Sequence, residues 1–153
     1  MVSRADLILI GTIATSSPRL TKDEKEIVTE HVINTNEVIA ERGVTTSAKP
    51  GEVPRIVVDQ PGGTLQLEGV TVSVLVEPMP PLKAGTRALF ILRQGENGRY
   101  SIVASYGAFE VSNGRVMPLT SKKPFYQEYV GVDATAFAHE LRALAARRWS
   151  GDE

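Results

Sequence analysis

The first candidates for acid–base or metal chemistry are two histidines, because the chain contains no other histidine and no cysteine. His139 and Glu140 begin the zinc-protease pattern His-Glu-x-x-His, but Ala143 occupies the position of the second histidine. The metal pair that this motif needs is therefore missing. His139 is predicted to be a residue of a helix surface.

The other histidine, His31, follows Glu30 in a segment rich in β-branched residues. A histidine beside a carboxylate can act as a general base. A hydrolase-like enzyme that uses His31, with Glu30 or Glu37 nearby, is therefore one hypothesis. A lone histidine in a strand is more often structural, so this hypothesis ranks last and no catalytic residue is predicted.

Glycine and carboxylate patterns give no sign of a cofactor or metal site. Gly62-Gly63 has neither the GxGxxG nor the GxxxxGK[ST] spacing, and no helix follows it, so it is interpreted as a turn. Asp59, Glu68 and Glu77 lie at separate strand ends, without the spacing of calcium or transition-metal ligands. The sequence therefore predicts no cofactor and no metal.

Three aromatic residues, Phe125, Tyr126 and Tyr129, are concentrated in an irregular segment near the carboxyl end. One interpretation is that their rings close an end of the fold. The other is that they form an exposed patch that contacts a ligand or partner, because aromatic side chains are enriched at binding surfaces. Both interpretations stay open at this point.

Composition limits the class of protein. The 153 residues suit a single domain, and 42% hydrophobic with 23% charged residues is ordinary for a globular chain. A net charge of -1 and a pI of about 6.2 disfavour nucleic-acid binding, which needs a basic surface. The opening apolar run, Leu7 to Ile10, is far too short to span a bilayer, which takes about 20 residues.

The most informative stretch for the fold runs from Gly85 to Val116 and contains two Asn-Gly pairs, Asn97-Gly98 and Asn113-Gly114. Asn-Gly between apolar runs is a strong hairpin signal. The stretch is therefore predicted to form a three-stranded meander.

The facing of the meander follows from the length of its first turn. With a turn of two or four residues, partners share faces in two sets. These sets are Leu89 and Ile91 with Ile102 and Ala104, and Phe90 and Leu92 with Val103. The first strand is then apolar on both faces, which predicts cover on both sides, in a closed barrel or beneath a helix. Phe90 is accordingly predicted to be a core residue.

The remaining patterns predict short strands, long loops and one helix. Strands are predicted at Ala5–Ala14, Ile27–Ile39, Arg55–Asp59 and Val70–Glu77, with polar loops at 15–26 and 41–54. Asp133 is the predicted N-cap of a helix from Ala134 to about Arg148, whose core residues include Leu141. The fold class is mainly β, a small, partly closed antiparallel OB-like barrel with one C-terminal α-helix. In this single domain, 1–153, the barrel covers about 5–118, the irregular segment 119–132 and the helix about 133–148.

Several stretches carry a resemblance to a known group of proteins. They are ADLILIGTI, VDQPGGTLQLEGVTVSV, GTRALFIL and GRYSIVASYGAFEVSNGRV. Together they resemble uncharacterised bacterial β-barrel domains that are usually exported. More distantly, the layout is similar to the netrin-like module of tissue inhibitors of metalloproteinases. Those inhibitors chelate the protease zinc through an amino-terminal cysteine, which this chain lacks, so the resemblance implies an extracytoplasmic binding module without that activity.

Three functional hypotheses follow. The first is a non-catalytic extracytoplasmic module that binds a protein or other ligand through the 15–26 and 41–54 loops and Phe125, Tyr126 and Tyr129. Its signal segment would be absent from this chain, and a cytoplasmic location is left open. The second is an OB-type single-stranded nucleic-acid binder with a basic strip of Arg87, Arg93 and Arg99. The third is the hydrolase-like enzyme using His31.

Overall fold

The computed structural model describes residues 2–42, 55–76, 82–103, 107–119 and 128–150. Within these ranges the chain forms ten strands, one α-helix and two single-turn 3-10 helices at Val2–Arg4 and Glu96–Gly98. The strands are β1 Leu7–Leu20, β2 Ile27–Glu41, β3 Arg55–Pro61, β4 Gly63–Leu67, β5 Val70–Val74, β6 Arg87–Gln94, β7 Tyr100–Ile102, β8 Ala108–Ser112, β9 Arg115–Pro118 and β10 Val132–Asp133. The helix, α1, is Ala134–Ser150.

Five strands close into a barrel in the order β1, β2, β3, β7, β6, with β6 pairing back to β1. The β3–β7 pair is parallel and the other four pairs are antiparallel. Strands β8, β9 and β10 extend the sheet from β6, while β4 and β5 form a separate hairpin. This confirms the predicted fold class, a small OB-like barrel with one C-terminal helix, and the barrel is closed.

Strand β6 has a core on each of its faces, as its apolar sequence predicts. Phe90 and Leu92 point into the barrel, while Leu89 and Ile91 lie beneath α1. All four side chains are completely buried. The barrel core consists of Leu7, Leu9, Ile13, Ile33, Ile56, Val58, Leu82, Ala88, Phe90, Leu92, Tyr100 and Ala108. The outer core includes Ile8, Ile10, Ile39, Leu89, Ile91, Val103, Phe109, Val111, Val116, Phe137, Ala138, Leu141 and Ala145.

The predicted facing of the meander's second strand is wrong. Leu92 pairs with Ile102, and the two strands are joined by five residues, Gly95–Arg99, rather than by two or four. A loop with an odd number of residues exchanges the two faces of the strand that follows it. Ile102 therefore packs with the barrel core and Val103 with the outer core. The five-residue loop forms because Asn97 and Gly98 both adopt left-handed conformations within a single 3-10 turn. Ala104 lies outside the described residues.

The meander itself is present, with its second strand in two parts. Strands β7 and β8 pair with neighbouring stretches of β6, β7 opposite Leu92–Gln94 and β8 opposite Ala88–Phe90. The chain then turns through Asn113-Gly114, where both residues have positive φ, and β9 pairs with β8. The two Asn-Gly pairs therefore mark turns as predicted.

Strand β1 is longer than predicted, because Ser16–Arg19 continues the strand instead of ending it. Pairing with β2 persists to Leu20, and Pro18 lies opposite Thr29. Strand β6 pairs with β1 only as far as Thr12, so the second half of β1 is an edge within the described residues. Proline is tolerated at an edge because no partner requires its missing N–H. The predicted 15–26 loop shortens to 21–26.

Glycine at position 11 is required by the close approach of β2. The β1–β2 register shifts beside it, and a Cβ added to Gly11 would lie 2.6 Å from Ile33 Cγ2 and 2.8 Å from the Asn34 carbonyl oxygen. We expect Gly11→Ala to lower the free energy of unfolding by about 1–3 kcal/mol, measured by urea denaturation. Gly95→Ala is the control, since its Cβ would meet only Arg99 O at 3.5 Å. Equal losses in both variants would contradict this role of Gly11.

Helix α1 begins as predicted, with the Ala136 N–H donating to the Asp133 carboxylate at 2.9 Å. Phe137 and Leu141 pack into the outer core, and Arg147 and Arg148 lie in the last turn. In the described part of the chain, no helix combines the length and apolar character needed to cross a membrane.

Candidate functional site

The β4–β5 hairpin has one apolar and one polar face. The register pairs Gly63 with Val74 and Leu67 with Val70, which fixes the facing of every side chain. The polar face carries two cross-strand hydrogen bonds, Thr64 to Ser73 at 2.9 Å and Gln66 to Thr71 at 3.4 Å. The apolar face consists of Leu65, Leu67, Val70, Val72 and Val74.

The apolar face of the hairpin is only partly covered. Val70 is 61% exposed and Val74 is 41% exposed, and Leu75 and Val76 beyond the strand are also exposed. Large apolar side chains that share one exposed face are typical of surfaces that contact a partner or ligand. The hairpin therefore presents an unpartnered apolar surface, as far as the described residues show.

A groove of about 560 Å³ lies between this apolar face and the turn that joins β1 to β2. One wall is formed by residues of the hairpin and the chain just beyond it, and the other by Leu20, Ile27 and Pro61. Glu24, Lys25 and Glu26 form a charged rim. The arrangement, an apolar centre with a polar edge, is the general anatomy of a binding surface.

Two glycines hold the hairpin in this position. Gly62 and Gly63 have φ values of 94° and 138°, which side chains other than glycine rarely adopt. The Gly62 N–H donates to the Ile27 carbonyl at 2.8 Å, and the Thr29 hydroxyl donates to the Gly62 carbonyl at 2.8 Å. This Gly-Gly turn, predicted from the sequence, therefore ties β4 to the start of β2 and fixes one side of the groove.

His31 is completely buried and takes part in a polar network on the barrel side of β2. Its Nε2 lies 2.9 Å from Gln60 Oε1, which also accepts the Leu82 N–H at 3.1 Å. Because Gln60 Oε1 can only accept hydrogen bonds, the proton of the neutral His31 ring is assigned to Nε2. Nδ1 of His31 is then free to accept a hydrogen bond. The Ser16 hydroxyl, 2.7 Å away, then donates to Nδ1.

The environment of His31 favours its neutral form. Burial, the largest cause, lowers the pKa of His31 below its usual value near 6.5, while the Gln60 hydrogen bond and the charge of Asp59 act in the opposite direction. Gln60 is uncharged, so it cannot balance an imidazolium as a carboxylate would. The network can orient His31 and hold the Leu82 segment, and the hydrolase hypothesis stays a prediction.

The carboxylates considered as partners of His31 are engaged elsewhere. Glu30 accepts a hydrogen bond from Arg99, and Glu37 lies 3.5 Å from Arg142. Asp59 also binds Arg99 through two hydrogen bonds of 2.8 and 2.7 Å, and Arg19 lies 3.6 Å from the same carboxylate. The bonds from Arg99 lower the pKa of Asp59, and the two carboxylates raise the pKa of Arg99.

The predicted basic strip of Arg87, Arg93 and Arg99 does not form a cluster of three unpaired arginines. Arg99 is held by Glu30 and Asp59, so its charge is largely balanced. Arg87 and Arg93 stand at opposite ends of β6, six residues or about 20 Å apart along an extended strand. These positions do not form a continuous basic strip, and the nucleic-acid hypothesis stays a prediction.

Of the three aromatic residues considered for contact, the structure describes one. The Tyr129 ring is partly buried, 5.7 Å from Phe109 and 5.4 Å from Phe137 between ring centroids. Burial, the largest cause, raises the pKa of Tyr129. Phe125 and Tyr126 lie outside the described residues, as do residues 43–54 of the second predicted loop. Contact through these residues stays a prediction.

Sequence reasoning missed most of the groove. The 15–26 loop was predicted and contributes the rim, but β4 was not predicted as a strand. The alternation of Leu65 and Leu67 with Thr64 and Gln66 was a signal that pointed to it. Among the described residues, no three histidine or carboxylate side chains are grouped so as to hold a metal ion.

The comparisons with known proteins identify no relative. No family model, no curated protein and no solved structure matches this chain. The resemblance to netrin-like barrels and the exported location that it implies therefore stay predictions.

Proposed function

We propose that this protein is a non-catalytic binding module that holds an extended apolar segment of a partner protein in the groove beside the β4–β5 hairpin. The observation that carries the proposal is the hairpin's face of five leucines and valines, which the described residues leave partly uncovered. Burying such side chains contributes about 25 cal/mol for each Å² of apolar area removed from water. A partner with branched apolar side chains would gain this free energy.

An extended segment fits better than a compact ligand because of the strand beside the groove. Within the described residues, β5 pairs only with β4, so its other edge has free N–H and C=O groups. A peptide strand added to such an edge receives main-chain hydrogen bonds, and its alternate side chains enter neighbouring pockets. The groove can thus supply both apolar contacts and a hydrogen-bonding edge.

The rim indicates the charge of the partner. Glu24 and Glu26 flank Lys25, which gives the rim two negative charges and one positive charge. Opposite charges across an interface favour encounter and set the register of binding. The expected segment therefore carries a lysine or arginine next to its branched apolar side chains.

A peptide selection tests this proposal. A display library of random linear peptides would be selected on the immobilised protein, and the dissociation constants of enriched peptides measured by fluorescence anisotropy. We expect enrichment of branched apolar residues beside a basic residue, micromolar binding, and amide chemical-shift changes centred on Val72 and Val74. Absence of enrichment, or shift changes centred away from the groove, would overturn the proposal.

A second copy of this chain is the alternative occupant of the groove, and a separate measurement tests it. Sedimentation velocity of the free protein would show whether the hairpin face joins two copies of this chain. We expect a monomer that binds peptide. A dimer that Val74→Arg dissociates would assign the face to self-association and would overturn the peptide proposal.

A further inference from the structure

A second pocket, of about 180 Å³, lies where α1 meets β2, β6 and the β8–β9 turn. It shares no lining residue with the hairpin groove. Its polar lining comes from Arg87 on β6, from Thr135, His139 and Arg142 on α1, and from Glu37 on β2. Its volume is below the roughly 300–1,000 Å³ of drug-sized ligand pockets, so it suits a single small group.

The hydrogen-bond donors of this pocket come from two elements, β6 and α1, and they exceed its one side-chain carboxylate, Glu37. Arg142 Nε donates to the Ile39 carbonyl at 3.1 Å, which fixes the guanidinium, and its Nη2 lies 3.5 Å from Glu37. The Arg87 guanidinium makes no hydrogen bond or ion pair with another described residue. The five N–H donors of Arg87 therefore have no partner among the described residues.

We infer that this pocket binds a phosphate group. Two arginines against one glutamate leave a net positive charge at its wall, and Thr135 and His139 add a hydroxyl and a ring N–H. At the start of α1 the backbone N–H groups of Ala134 and Ala136 already donate to Gly114 O and to the Asp133 carboxylate. The proposed binding groups are therefore side chains.

A phosphate fits these donors better than a carboxylate. The donors belong to two separate elements, β6 and α1, and the three or four oxygens of a phosphate can accept from more of them than the two oxygens of a carboxylate can. Glu37 already places a carboxylate beside Arg142, so a dianion competes for that arginine more effectively than a second carboxylate would. The group would be free phosphate or the phosphoryl group of a small monoester.

The test is a titration of the intact protein at constant ionic strength, followed by two-dimensional amide NMR. The probes are inorganic phosphate, a small phosphomonoester and acetate. We expect saturable shifts at Thr135 and His139 with phosphate or the monoester, at a dissociation constant of about 1 mM, and weaker binding of acetate. The tighter of the first two probes identifies the source of the group. No saturation, or equal binding of acetate, would overturn the inference.

Three charge variants make the test specific. Arg87→Gln should weaken phosphate binding about tenfold, whereas Arg93→Gln, which removes the same charge from the far end of β6, should leave it unchanged. Glu37→Gln should tighten binding, because it removes the competing carboxylate and releases Arg142. Equal weakening by the two arginine variants, or weaker binding in Glu37→Gln, would contradict a specific site.

Discussion

Replacing Phe90 with alanine is expected to lower the free energy of unfolding by about 3–5 kcal/mol. Phe90 is completely buried in the barrel core, on the central strand β6, between Leu9 of β1 and Ala108 of β8. Its removal deletes a large apolar side chain from a closed barrel that cannot collapse around the cavity. The expected loss is a large share of the roughly 5–15 kcal/mol that stabilises a typical domain. Urea denaturation with parallel circular dichroism and fluorescence detection measures it.

Leu75→Ala is the control for this experiment, because Leu75 is 61% exposed and its truncation removes little buried area. Its effect should stay within about 0.5 kcal/mol. A Phe90→Ala variant that is as stable as Leu75→Ala would show that the two-sided core of β6 is not the main support of the fold.

The second large effect is a loss of stability at acid pH caused by His31. Because burial lowers the pKa of His31 in the folded protein, the unfolded chain binds a proton first as the pH falls below about 6.5. The contribution of His31 is complete above that pH and is lost as the pH falls toward the folded pKa. Within this window the free energy of unfolding should fall by up to about 1.4 kcal/mol for each pH unit.

The measurement is a series of urea denaturation curves between pH 5 and 7.5, a range of about 2.5 units that lies above the titration of ordinary carboxylates. Asp59, whose pKa is lowered, contributes its own loss only at lower pH. His31→Gln should flatten the profile, because it removes the buried side chain that binds its proton more readily in the unfolded chain. A slope that persists unchanged in His31→Gln would contradict the assignment.

Much of the barrel is predictable because its signals are local. The Asn-Gly pairs mark turns, Asp133 caps the helix, and the apolar residues on both faces of β6 require cover on both sides. Each signal depends on a few neighbouring residues whose conformational preferences are strong. The fold class follows from these elements and their order.

Other features depend on pairing that local patterns do not encode. The five-residue loop at Gly95–Arg99 reverses the predicted facing of Ile102, because the parity of a loop cannot be read from one Asn-Gly pair. Strand β1 continues through Pro18 because β2 accompanies it and β6 does not. In both cases the outcome is decided by a partner strand elsewhere in the chain.

The polar sites were the least predictable. Ser16 and Gln60 lie 15 and 29 residues from His31 along the chain, so no spacing indicated that they would meet. The pocket between β6 and α1 likewise joins Arg87 to helix residues about fifty positions away in the sequence. By contrast, the groove has local signals, because the apolar residues of β5 repeat with a period of two and the charged residues of the β1–β2 loop are adjacent in the sequence.

The central proposal is that the apolar face of the β4–β5 hairpin binds a partner segment, and neighbouring residues of β5 allow a direct test. Val74 lies on the apolar face and Ser73 on the polar face of the same strand. The measurement is the dissociation constant of a selected peptide for Val74→Arg and Ser73→Arg. We expect Val74→Arg to weaken binding at least about tenfold and Ser73→Arg to leave it unchanged. Equal binding by the two variants would contradict the proposal.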